Sequence, residues 1–112
     1  MSSNAATKVF NKLVRDKIPE VITANGQQGT FRVLDDTEYV AELEKKLLEE
    51  VQEYLTDKNI EELADIAEVI RALAQVHGAD AAALEDVRQQ KSDKRGGFEK
   101  RLFLETVADA DS

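Results

Sequence analysis

A chain of 112 residues with no cysteine and a formal net charge of −8 has the size of one small domain and excludes several protein classes. Without cysteine there is no disulfide framework, thiolate metal site or cysteine nucleophile. The acidic balance argues against a nucleic-acid binder, which needs a basic footprint, and four Phe, two Tyr and no Trp are too few for a base-stacking platform.

Taken in order, residues 1 to about 9 are small and polar and are expected to be loose. The start, MSSNAATK, holds no apolar run of signal-peptide length, and no stretch approaches a membrane span; a cytoplasmic protein is expected. From Lys12 to Gly26 the pattern predicts a short helix. Asp16 is its expected cap, Pro19 suits the first turn, Ile18, Val21 and Ile22 give an apolar face, and Gly26 is a natural stop. Lys12, Arg15 and Lys17 form a basic cluster that reads either as a solvated face or as phosphate contacts. Thr30 to Leu34 alternates in β-forming types and predicts a short strand or extended arm.

Two long helices follow within Asp36–Gly78. Asp35, Asp36 or Thr37 caps the first, Glu42 and Lys46 give it ordinary surface support, Asn59 caps the second and Gly78 closes it. His77, the single histidine, fits a helix-end charge and receives no role. Residues from about 80 to 94 predict a further helix, capped by Asp80, with Leu84 and Val87 facing inwards. Its end carries Arg88, Lys91, Lys94 and Arg95 before Gly96 and Gly97. Those cations either complement the helix dipole or form a phosphate-binding corner beside a backbone that a ligand can approach closely. Phe98 is expected to pack on the core or flank a base. Arg101 to Val107 predicts a final strand pairing with residues 30 to 34, and residues 108 to 112 a loose tail.

The chain's most specific signal is a repeated acid spacing, Glu50 with Glu53 and Glu62 with Asp65. At about 100° per residue, Val40, Leu43, Leu47, Val51, Tyr54 and Leu55 make one apolar arc. Leu63, Ile66, Val69, Ile70, Leu73 and Val76 make the other. Glu50 and Glu62 fall inside these arcs; Glu53 and Asp65 sit at their margins, on the same side. A hairpin folded near Asp57 and Lys58 sets Glu53 level with Glu62 and Glu50 level with Asp65. Four converging carboxylates are costly to bury without compensation, and Mg²⁺ prefers carboxylate oxygens and retained waters. The bland reading is that such pairs arise by chance in an acidic chain, with Glu62 completing a capping box from Asn59.

The sequence EExxE at Glu49, Glu50 and Glu53, followed by ExxD at Glu62 and Asp65, resembles the all-α nucleotide pyrophosphohydrolases, the MazG and phosphoribosyl-ATP pyrophosphohydrolase group. The flanking runs NKLVRDKIP from Asn11 to Pro19 and RGGF from Arg95 to Phe98 are similar to a small bacterial branch of it. The resemblance spans about residues 10 to 104. Eight residues separate the two acidic motifs, fewer than in many members, which bears on the shape of the substrate pocket.

The expected fold is mainly α: one domain over residues 1–112, a bundle built on an antiparallel helix hairpin with at most a small β element, self-associating with a dimer favoured over a tetramer. The resemblance implies Mg²⁺-dependent cleavage of a nucleoside triphosphate between its α and β phosphates, with Mn²⁺ as a possible substitute and a house-cleaning role. Glu50, Glu53, Glu62 and Asp65 are the expected metal ligands. Glu49 is a general-base candidate whose helical phase points away from the buried arc. Lys91, Lys94 and Arg95, then Lys12, Arg15 and Lys17, are the expected phosphate contacts. The alternatives are phosphoribosyl-ATP hydrolysis in histidine synthesis and a non-catalytic helical interaction module.

Overall fold

A computed structural model describes residues 7–110 and contains four helices and no strand among them: α1 (Ile18–Ala24), α2 (Asp36–Asp57), α3 (Ile60–Val76) and α4 (Ala81–Arg95). The protein is mainly α, as its periodicity predicts. The expectation of loose termini falls partly outside the described residues; residues 7–9 and 108–110 belong to no helix.

Local chemistry explains where the long helices begin. The side chains of Asp35, Asn59 and Asp80 each accept a hydrogen bond from the backbone amide three residues on, at 2.8, 3.1 and 2.8 Å, satisfying donors that a helix start leaves free. Gly78, at φ 82°, follows α3 in the left-handed region that glycine enters without strain. The beginning of α1 differs from expectation. Its N-cap is Lys17 and no side chain caps it, because the helix starts at Ile18 and leaves Asp16 one residue too early.

The main packed pair is α2 with α3; α4 touches α3 more lightly and buries no residue. Only Lys58 and Asn59 separate α2 from α3, so the two fold back antiparallel. Lys58 takes a left-handed conformation (φ 54°, ψ 45°), and its amide donates to the Tyr54 carbonyl at 2.7 Å. The interior of this hairpin is small: Leu43 and Val69 are the buried apolar residues among those described, 3% and 7% exposed.

Each apolar arc is wider than one partner helix can cover. Val51, Leu55, Leu63 and Ile70 on the outer edges of the arcs stay exposed, as does Leu48 just beyond the α2 arc. Phase places these five on one common face of the hairpin, about 100° from the line joining the helices. Val87 is likewise exposed, since α4 lies too loosely on α3 to cover it.

The expected strands do not form. Residues 30–34 and 101–107 are irregular, and Val33 is 96% exposed. An isolated two-stranded pair has too little to bury to hold itself together. Arg32 instead makes a two-pronged ion pair with Glu38 at 3.0 and 3.1 Å, tying this segment to the first turn of α2. Phe98 is also corrected: it is 95% exposed and packs on no core.

Candidate metal centre

Glu50 lies in the apolar arc of α2, one turn after Leu47, and is 6% exposed. Its Oε1 stands 3.6 Å from the Lys46 ammonium, while its Oε2 is buried without any hydrogen-bond partner. Glu62, in the first turn of α3, repeats the anomaly: its Oε2 is also buried and unpartnered. The Glu62 amide donates to Asn59, but its carboxylate is left unspent, so capping does not explain the residue. Two orphaned carboxylate oxygens in one small hairpin are a strong departure from the rule that buried polar atoms are satisfied.

The turn brings Glu50 to Glu62 and Asp65, while Glu53 groups with Glu49 and Glu50, so the four acids form two overlapping sets rather than one. Glu50, Glu62 and Asp65 each offer an oxygen within 4.8 Å of the others, and so do Glu49, Glu50 and Glu53. Glu50 is the shared member of the two triads. Glu49 belongs to the cluster despite its outward phase, because its side chain is drawn between Lys46 (3.1 Å) and Lys12 (3.7 Å).

Burial, followed by the charge of Glu53, raises the Glu50 carboxyl above the ordinary carboxylate range; Lys46 opposes this and Asp65 adds to it. Burial and then the neighbouring acids, Glu53 first, raise Glu62 as well. The Lys46 hydrogen bond holds Glu49 below that range. A carboxylate pocket whose inner members resist ionisation, with a bare oxygen on each of Glu50 and Glu62, suits a hard divalent cation.

The cations divide sharply. Arg15 donates to Asp65 Oδ1 at 2.7 Å, and Lys12 reaches Glu49, so the segment before α1 lies over the acids. Between residues 10–13 and α2 a shallow cavity of about 220 Å³ is lined in part by Lys12, Lys45, Lys46 and Glu49. Lys17, Lys91, Lys94 and Arg95 form no ion pair with the cluster among the described residues. The expected corner at Gly97 is also occupied from within: the Glu99 carboxylate fills the space beside that glycine and accepts from the Phe98 amide at 2.9 Å.

Lys46 belongs to the acidic cluster rather than to the surface support its spacing from Glu42 suggests. It pairs with Glu49 and Glu50, while Glu42 pairs with Lys45 at 3.0 Å. Its position four residues before Glu50 was the available signal.

No family model and no solved structure matches this chain. It is 55% identical over 42 residues to an uncharacterized protein of Mycolicibacterium smegmatis. The matched stretch covers 38% of this chain and 43% of that protein.

Proposed function

We propose that this chain is a Mg²⁺-dependent nucleotide pyrophosphohydrolase, splitting a nucleoside triphosphate between its α and β phosphates with water to give a monophosphate and pyrophosphate. One observation carries the reading: the buried Glu50 carboxylate, with a bare oxygen, meets Glu62 and Asp65 from α3 and Glu53 from its own helix. Those four residues would hold Mg²⁺, or Mn²⁺ in its place. The bound ion would neutralise phosphate oxygens and acidify the attacking water.

The chain's own residues supply the rest. Glu49 stays anionic beside Lys46 and remains accessible, which suits a group that takes a proton from water. Lys12 and Arg15 stand at the rim and would turn from the acids to phosphate oxygens when a nucleotide arrives. Lys17, Lys91, Lys94 and Arg95 belong to the proposal as more distant phosphate contacts. A cytoplasmic, self-associating enzyme that clears unwanted nucleotides is the biological form of this reading. Phosphoribosyl-ATP as substrate would use the same acids and differ only around the base and ribose.

The test is pyrophosphate release from a nucleotide panel, with Mg²⁺ and with EDTA, for the native chain and Glu53→Gln. Glu53 is exposed, so its substitution spares the fold. Mg²⁺-dependent release that falls about 100-fold or more in the variant is expected, since loss of even an outer-sphere partner costs about 10–100-fold. Folded protein that releases nothing from triphosphates or phosphoribosyl-ATP would sink the enzymatic reading in favour of an interaction module.

A further inference from the structure

The segment before α1 is short, basic and tied to both helices of the hairpin. Within residues 8–17, Lys8, Lys12, Arg15 and Lys17 stand against a single acid, Asp16. Lys12 reaches Glu49 on α2 at 3.7 Å, and Arg15 reaches Asp65 on α3 at 2.7 Å. An extended chain covers about 10 Å in three residues, which matches the roughly 8–10 Å between the axes of packed helices. Leu13 and Val14, between the two cations, are half-buried, whereas Asn11 and Asp16 on either side are exposed. Asn11 turns the chain there with a left-handed φ of 46°. Residues 12–15 thus cross the hairpin at the acidic cluster.

The crossing divides the acids. Glu49 and Asp65 each have a cation from the segment, while Glu50 and Glu62 keep buried oxygens that nothing meets. A divalent ion that gathers Glu50, Glu62 and Asp65 must take Asp65 from Arg15, and its charge repels both cations of the segment. What it displaces is weak. All four side chains of the two pairs are more than a third exposed, and exposed pairs hold little against competition.

We propose that residues 12–15 form a strap that closes the acidic cleft in the metal-free chain, and that a divalent cation alone releases it, ahead of any nucleotide. Metal entry and strap release are one exchange on Asp65, cation for cation. Lys12 and Arg15 become available to phosphate only once the metal is seated, so the cation comes first and the nucleotide second. The strap rests on the reading of the acids as a metal centre, and not on hydrolysis.

The test uses the full chain and chymotrypsin, with each cut followed by mass spectrometry. Ionic strength is matched with sodium chloride, because salt also screens exposed pairs. Cutting after the half-buried Leu13 requires the strap to lift, whereas cutting after Phe103, 88% exposed, does not. Saturating Mg²⁺ should speed the Leu13 cut about 10-fold relative to the Phe103 cut, because cleavage of a transiently opened segment follows its open population. The double variant Lys12→Gln/Arg15→Gln should cut at the faster rate with or without Mg²⁺. Lys17→Gln, on the same segment but without an ion pair to the cluster among the described residues, should behave as the native chain does. Calorimetric titration of the native chain with Mg²⁺ runs alongside. Mg²⁺ that binds yet leaves the Leu13 cut unchanged, or slows all cuts alike by stabilising the fold, would overturn the strap and spare the metal centre. An absence of Mg²⁺ binding would overturn both. Equal loosening by Lys17→Gln would reduce the strap to a general effect of charge and overturn it as well.

Discussion

The two faces of the α2–α3 hairpin solve opposite problems. One gathers like charges and is partly neutralised from within the chain, by Lys46 on α2 and by Lys12 and Arg15 from the segment before α1. The other gathers leucine, valine and isoleucine and is covered by nothing among the described residues. The same helices impose both, because an apolar arc that is too broad for one neighbour must leave one edge outside. The difference teaches which perturbations each face tolerates: removing charge relieves the first, and adding charge injures the second.

The largest effect should come from the scaffold that both share. Leu43→Ala opens a cavity in an interior with almost nothing to spare and should cost about 2–5 kcal/mol, read as a shift in the urea midpoint with and without Mg²⁺. A loss below about 1 kcal/mol would show that the hairpin is held from outside. Next, Glu50→Gln should stabilise the metal-free protein. Each 1 kcal/mol of relieved charge raises the melting temperature by about 4–8 °C. The same variant should lose the stabilisation that saturating Mg²⁺ gives the native chain, about 2.7 kcal/mol at a hundredfold excess over the dissociation constant. A variant that melts lower without metal would mean that Glu50 is paired more favourably than its bare oxygen implies.

A smaller effect should follow pH. Glu50 and Glu62 are raised in the folded state, so the folded chain holds protons that the unfolded chain has released. In metal-free protein their contribution therefore improves as pH falls from neutrality towards the ordinary glutamate value near 4.3. Glu38, Glu49 and Glu85 are lowered, and their favourable contribution is lost only as pH falls through and below that value. Melting at pH 5.5 and 7.5 should thus favour pH 5.5 without Mg²⁺, with the difference shrinking when Mg²⁺ is present. The smallest change is expected for Arg15→Gln. Both partners of its ion pair with Asp65 are substantially exposed, which limits the stability effect to about 0.2–1 kcal/mol. Apparent Mg²⁺ affinity, measured by calorimetry without nucleotide, should nevertheless rise, because a competing cation has gone.

Whatever depends on neighbours in sequence was legible. Asp35, Asn59 and Asp80 cap because a short oxygen-bearing side chain reaches an amide three residues on. The meeting of Glu50 with Glu62 and Asp65 could be worked out because helical phase and a two-residue turn leave few arrangements. What escaped depends on distant pairing. Arg15 finds Asp65 across fifty residues of chain, and no local pattern encodes that contact. The strands at 30–34 and 101–107 satisfy β propensity but have nothing to pair with, and Phe98 and Val87 look like core residues in a chain whose core is too small to take them. Their hydrophobicity was read correctly and their destination was not.

The connection of Lys58 and Asn59 carries a consequence for how this hairpin can change. One residue inserted there would swing α3 by about 100°, leaving both helices and all their caps intact while Glu62 and Asp65 turned away from Glu50. Indels in the segments outside α2 and α3 would spare that meeting. The length of this connection is therefore as much a part of the acidic site as any carboxylate, a coordinate written in spacing rather than in side chains.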